Sequence, residues 1–305
     1  MNTHKEPRGR VAIIGAGRVG TAMASLLSSG GYPVVAVADV SKEARERGAR
    51  LSGARAMADP AEAAAGADIV IITTPDRIIE ETCRSIAGST GDLGGKTFIH
   101  MSGALRVGVL EPVRLKGARV ASIHPIQTFA DLEGALRELP GSTFGVTCEQ
   151  EVVEWARGFV AGLGGTMRLI DDEDKVLYHA AAVLACNLIT MVKHGALALA
   201  RELGFSDEEF AKTFMPLAMA TTLNVARLGP AGALTGPLAR GDLDTVEKHL
   251  EALDDFDPEL AAMYRAVCTW GLKLVAERGD VDGETIARMR DLLSRSGSEQ
   301  GIGQA

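Results

Sequence analysis

A chain of 305 residues with 46% hydrophobic content exceeds the size at which a single core usually stops growing, so two domains are expected. A formal net charge of -8 provides no global positive field to attract DNA, RNA or anionic lipid, and 4% aromatics argue against a stacking platform for single-stranded nucleic acid. Cys83, Cys148, Cys186 and Cys268 form no CxxC pair, which fits reduced thiols and gives no metal-ligand spacing, so no bound metal is expected.

From Arg10 to about Leu169, short Val- and Ile-rich runs alternate with alanine-rich amphipathic stretches. The strand-like runs are Val11 to Ile14, Val34 to Ala38, Ile69 to Thr73, Phe98 to His100, Val120 to Ile123, Phe144 to Thr147 and Met167 to Ile170. That alternation predicts an α/β domain over residues 8–170, a doubly wound parallel sheet of the Rossmann type covered on both faces. After Asp171 the pattern turns helical, with periodic stretches at Glu173 to Leu203, Asp207 to Arg227, Asp242 to Leu253, Pro258 to Glu277 and Gly283 to Ser294. This predicts an all-α domain over 171–294, with Gly204 ending one helix and Ser206 with Glu209 forming the capping box of the next. Residues 295–305 read as a disordered tail. The polar start MNTHKEPRGR lacks the apolar core of a signal peptide, and no apolar run is long and unbroken enough to span a bilayer. A cytoplasmic protein without a membrane partner is expected.

The strand VAII leads into Gly15-Ala16-Gly17-Arg18-Val19-Gly20 and then a helix from Thr21. Gly15 suits the tight turn, Gly17 lets backbone approach a pyrophosphate, and Gly20 lets the helix pack closely on the strand. The pyrophosphate would lie against the helix N-terminus, where free amides and the helix dipole favour an anion. Asp39 ends the next strand, where a carboxylate binds the adenosine ribose hydroxyls and favours NAD over NADP. Lys42 and Arg45 follow, either to meet a phosphate or to face solvent. Thr73-Thr74-Pro75-Asp76 closes another strand at the sheet edge where ligands bind in such folds, and the same residues also suit a simple capped helix start.

Two later strand ends carry polar side chains, His100-Met101-Ser102-Gly103-Ala104 and Ser122-Ile123-His124-Pro125. His124 is the candidate general acid or base, with Ser102 assisting at the same oxygen; His100 reads as either a core histidine or a functional one. In the helical half, His179, Val183, Cys186 and Asn187 share a predicted helix face, and His179 and Asn187 are candidates to orient a substrate. Lys175 and Arg240 are candidates to hold an anion, and Thr235 lies in the same Leu234-Thr235-Gly236-Pro237 turn as Arg240.

Taken together, the glycine fingerprint, His100 to Ala104, Ser122 to Pro125, Tyr178-His179-Ala180-Ala181 with Asn187, and Leu234 to Pro237 with Arg240-Gly241-Asp242 resemble the Rossmann-like oxidoreductases that carry a C-terminal DUF2520 domain. The resemblance covers nearly the whole chain and extends to 6-phosphogluconate-dehydrogenase-like reductases, which implies a homodimer through the helical domain. The surroundings of His124 and Ser102 also resemble prephenate dehydrogenase, where such residues contact the oxidised hydroxyl. Members of the DUF2520 group are linked to ketopantoate reduction, which implies a 2-keto acid as hydride acceptor. A basic residue often follows the second strand in that family, whereas Asp39-Val40 stands here. The expected activity is hydride transfer between NAD or NADP and a small carboxylate-bearing substrate; the alternative is a non-catalytic NAD(H)-binding module that senses redox state through a protein partner.

Overall fold

The computed structural model describes residues 8–295 and divides the chain into two compact units, Met1–Ile189 and Thr190–Ala305. The expected disordered tail lies, apart from Arg295, outside the described residues.

The first unit begins β1 (Val11–Ile14), α1 (Arg18–Ser29), β2 (Val34–Ala38), α2 (Lys42–Ser52), β3 (Arg55–Met57), α3 (Pro60–Ala65), β4 (Ile69–Ile72), α4 (Asp76–Ser89) and β5 (Thr97–His100). It continues α5 (Glu111–Arg114), β6 (Arg119–Pro125), α6 (Leu132–Glu138), β7 (Thr143–Cys148), α7 (Val153–Gly162), β8 (Thr166–Leu169) and α8 (Lys175–Ala185). The eight strands form one sheet in the order β3-β2-β1-β4-β5-β6-β7-β8. Every residue of β1 and β4 is buried, as the unbroken apolar runs VAII and IVII require of strands covered on both faces. One face packs Ile13, Ile71, Ile99 and Phe144 against α1 and α7; the other packs Ile14, Ile72 and Phe98 against α3 and α4.

Two features depart from the expected all-parallel sheet. β7 runs antiparallel to β6, a reversal that apolar content does not encode, since a buried strand reads alike in either direction. β3 is an additional strand, only three residues of Arg-Ala-Met at the sheet edge, with no Val or Ile run to announce it.

The remaining helices are α9 (Asn187–Glu202), α10 (Asp207–Ala233), α11 (Pro237–Arg240), α12 (Leu243–Phe256), α13 (Pro258–Arg278) and α14 (Gly283–Ser294). The stretch read as one helix from Glu173 to Leu203 is interrupted at Cys186, whose φ of -129° and ψ of -67° end α8. α10 opens on the Ser206–Glu209 capping box and runs past Arg227 to Ala233, bent at Gly229, where φ is 72° just before Pro230. In the second unit Leu238, Val246, Leu250, Leu272, Val275 and Met289 form a core drawn from α11 to α14. α10 stands outside that core and buries only Phe210 and Ala233. By length and composition, Asp172–Glu202 contains an 18-residue window apolar enough to cross a membrane, with a mean hydropathy of 1.6. His179, Asn187 and Lys193 interrupt the apolar run there, as read from the sequence, while the average over the window stays apolar.

Candidate active site

The glycine turn between β1 and α1 is set by backbone contacts. Gly15 has φ +100°, and a Cβ there would lie 2.7 Å from the Thr74 amide nitrogen. A Cβ at Gly20 would fall on the Gly15 carbonyl oxygen and the Thr73 hydroxyl, while one at Gly17 would meet open space. Thr73 Oγ1 donates to the Gly15 carbonyl at 2.6 Å, which ties the ends of β1 and β4 together. No side chain caps α1 at Gly17, so its first amides are free to meet an anion.

This turn borders a cavity of about 680 Å³ lined by Gly15, Gly17, Asp39, Thr73, Thr74 and Pro75 among others. Thr74 Oγ1 is buried there without a hydrogen-bond partner, a polar atom left for a ligand. Asp39 Oδ2 accepts from the Ala16 amide at 2.6 Å and Oδ1 from the Ser41 amide at 2.8 Å, so the carboxylate is braced against the turn with lone pairs to spare. An elongated polyanion flanked by hydroxyls, as in a nicotinamide dinucleotide, fits these donors and acceptors. Arg18 is exposed and Val19 packs on the core, so neither lines the cavity. Arg45 donates to the Asp39 and Val40 carbonyls at 3.1 and 3.2 Å, whereas Lys42 is exposed.

Immediately after Pro75, Asp76 opens α4 and its Oδ2 accepts from Ser102 Oγ at 2.8 Å. Ser102 Oγ in turn accepts from the Ala104 and Leu105 amides, so this hydroxyl is fully engaged and braces the turn after β5. Ser122, buried on β6, donates from Oγ to the Ser102 carbonyl at 3.3 Å. Lys175, at the start of α8, sends its ammonium to Ser122 Oγ at 2.6 Å and to the Ser102 carbonyl at 3.2 Å. Read from sequence as an anion-holding residue, Lys175 is instead 1% exposed and tied to the sheet edge. Burial pushes its pKa down to about 8, while Asp172 and Asp76 pull the other way.

His100 is fully buried, accepts from the Ser102 amide on Nδ1 at 3.2 Å, and leaves Nε2 without a partner. Burial and then the Lys175 charge hold its pKa down to about 3. His124 lies one strand over, with Nδ1 at 2.7 Å from the Tyr178 hydroxyl and its ring edge-on to His179, centroids 6.2 Å apart. Burial foremost, then Lys175 and His179, lowers the His124 pKa to about 4.

His124, His179, Cys186 and Asn187 border a cavity of about 450 Å³ with Ile126 to Ala130. The break at Cys186 means these groups do not share one continuous helix face, yet they reach one space. Thr235 and Arg240 belong to the second unit, where Arg240 sits 3.8 Å from Asp242 and Asp242 caps α12 through the Thr245 amide. Sequence reasoning did not assign Asp76, Ser122 or Tyr178 to the site. The available signal was Gly145, a glycine inside a strand, which marks a close approach by another group.

Residues 2–125 match the Rossmann-like domain family, and residues 142–269 match DUF2520, a domain of unknown function. No curated protein matches the sequence. Among solved structures, a candidate NADP oxidoreductase from Bacteroides fragilis is 23% identical with a TM-score of 0.71, over 86% of this chain and 97% of that one. A protein from Thermotoga maritima is 21% identical with a TM-score of 0.67, over 88% and 99%. An imine reductase from Myxococcus stipitatus in complex with NADP+ is 18% identical with a TM-score of 0.64, over 92% and 99%. Likeness at these identities speaks to the fold. The Rossmann-like match over residues 2–125 is thus followed along the chain by the DUF2520 match over residues 142–269.

Proposed function

We propose that this protein is an NAD(P)-dependent oxidoreductase that moves hydride between the nicotinamide and the carbonyl carbon of a small substrate. One observation carries the reading: Pro75 lines the glycine-turn cavity, and the next residue, Asp76, is bonded to Ser102 in the cluster that holds Lys175 and adjoins His124. A dinucleotide bound at Gly15, Gly17, Gly20 and Asp39 supplies the hydride. His124 donates a hydrogen bond to the substrate oxygen, a proton from solvent completes the alcohol after hydride transfer, and His179 and Asn187 border the same space to orient the substrate. Lys175, charged below its pKa of about 8, provides fixed positive charge that stabilises the oxyanion formed as hydride arrives.

The Asp39 carboxylate favours NADH, because a 2'-phosphate beside it would meet a like charge. The structurally similar proteins include enzymes solved with NADP+ and a variant imine reductase solved with NAD+, so both cofactors occur on this fold. The family resemblance makes a 2-keto acid such as ketopantoate the first substrate to test. The test follows NADH and NADPH absorbance across 2-keto acids, aldehydes and imines. Turnover of a carbonyl compound with NADH ahead of NADPH is the expected result; tight dinucleotide binding without turnover of any acceptor would instead point to a redox-sensing module.

We also propose a homodimer formed through the helical domain. Met219 and Leu223, four residues apart on one face of α10, are 63% and 69% exposed, and large apolar side chains exposed side by side are characteristic of a covered surface. Sedimentation at micromolar concentration should give twice the monomer mass, and a clean monomer would remove the proposal.

A further inference from the structure

The surroundings of His124 differ at its two ring nitrogens. Gly145 on β7 is the register partner of His124 across the antiparallel β6–β7 pair. A Cβ at Gly145 would lie 2.5 Å from the Tyr178 hydroxyl oxygen and 2.7 Å from Cζ, so the absent side chain is the slot that the Tyr178 hydroxyl occupies. Through that slot the hydroxyl reaches His124 Nδ1 at 2.7 Å, its only hydrogen bond among the described residues. On the other side of the ring, a Cβ at Gly103 would stand 3.0 Å from His124 Nε2 and 2.6 Å from His179 Cδ2. A second missing side chain thus keeps space open at Nε2, which has no protein partner among the described residues, and His124 borders the 450 Å³ cavity.

We propose that Tyr178 is a positioning residue that fixes His124 as the neutral imidazole protonated on Nε2, so that the site presents a hydrogen-bond donor to an uncharged acceptor atom, a carbonyl oxygen. The inference rests on the oxidoreductase reading for its substrate class, but not for the tautomer itself. A phenol has one proton. If it donates to Nδ1, the phenol and Nδ1 are both satisfied by one bond and Nε2–H is free for a ligand. With the opposite polarity, Nδ1–H would occupy the phenol oxygen, the phenol proton would have no acceptor, and a bare lone pair would face the cavity. Leaving the donor unmade in the slot at Gly145 is the costlier arrangement. The charge state agrees: burial raises the Tyr178 pKa to about 12 and lowers that of His124 to about 4, so the phenol keeps its proton and the imidazole stays neutral near pH 7. The cavity lining contains no Lys, Arg, Asp or Glu, which suits an uncharged reacting group. A protonated imine has no lone pair with which to accept from Nε2–H, so it is the poorer partner.

The tautomer is read directly by 15N NMR of the full-length protein labelled at histidine, with His124 assigned by its absence in His124→Gln. The expected wild-type spectrum at pH 7 shows a pyrrole-type Nε2 and a pyridine-type Nδ1 at His124. Tyr178→Phe should shift both signals toward the averaged values of a mixture, as should Gly145→Ala, which retains the hydroxyl but fills its slot. With an acceptor in hand, Tyr178→Phe should lower kcat on the order of tenfold while KM holds. A wild-type Nδ1–H tautomer, or tautomers unchanged in both variants, would overturn the proposal. The NMR result stands apart from turnover: the expected tautomer with no carbonyl compound reduced would count against the oxidoreductase reading alone.

Discussion

The dinucleotide cradle and the polar cluster adjoin one another in the first unit, but they are built from different materials. Backbone defines the cradle: a positive φ at Gly15, an uncapped helix start, and a Cα at Gly20 pressed so closely on the Gly15 carbonyl that no side chain fits. Side chains define the cluster: Asp76, Ser102, Ser122, His124, Lys175 and Tyr178 arrive from α4, the turn after β5, β6 and α8. The first arrangement offers shape and amide dipoles suited to a polyanion, whereas the second sets where protons and charge reside. Binding and chemistry should therefore fail separately.

The largest effect should come from Gly20→Val. Its branched side chain cannot coexist with the Gly15 carbonyl and Thr73 hydroxyl, so NADH affinity measured by fluorescence titration should fall at least about 100-fold, roughly 2.7 kcal/mol. Retained affinity would mean that the cradle is not the dinucleotide site. Lys175→Met probes the other region. It removes a buried charge whose desolvation is costly, yet leaves Ser122 Oγ without a donor and the Ser102 carbonyl with the Ser122 hydroxyl alone, so the net change in stability should stay within about 2 kcal/mol. Turnover should drop on the order of 100-fold while NADH affinity holds; a parallel loss of both would erase the distinction between the regions.

The smaller effect is one of pH. His100 and His124 are held to about 3 and about 4 when folded, against 6.5 as ordinary values. Between pH 6.5 and about 4 the unfolded chain binds protons that the folded chain refuses, so stability falls as pH falls through that window. Lys175, lowered from 10.5 to about 8, has the same sign at the alkaline end, and its contribution improves as pH rises from about 8 toward 10.5. Urea melts across pH 4 to 6.5 should show the acid loss, and His124→Gln should reduce it. A flat profile would mean that these histidines are not desolvated as the fold implies.

The same contrast explains what could be read from the sequence. The tight glycine turn, the buried strands and the Ser206–Glu209 capping box were legible because each depends on backbone requirements within a few residues. The β6–β7 reversal and the break at Cys186 were not, since an apolar run carries neither strand direction nor a helix interruption. His124, His179 and Asn187 were identified individually and do border one cavity. The contacts that give them a setting escaped notice because they join positions 26 residues apart, as for Ser102 and Asp76, or 54 apart, as for His124 and Tyr178. Lys175 reads as a cation that either holds an anion or faces solvent, because its position at the start of a helix gives no warning that the chain folds its ammonium onto the Ser102 carbonyl and the Ser122 hydroxyl.

His124→Ala separates a backbone-built cofactor site from the side-chain-built reaction site beside it. NADH affinity and turnover of the best wild-type acceptor should be measured on the same preparation. Affinity should stay within about twofold of wild type while turnover falls by about 100-fold or more. Undiminished turnover would contradict that separation.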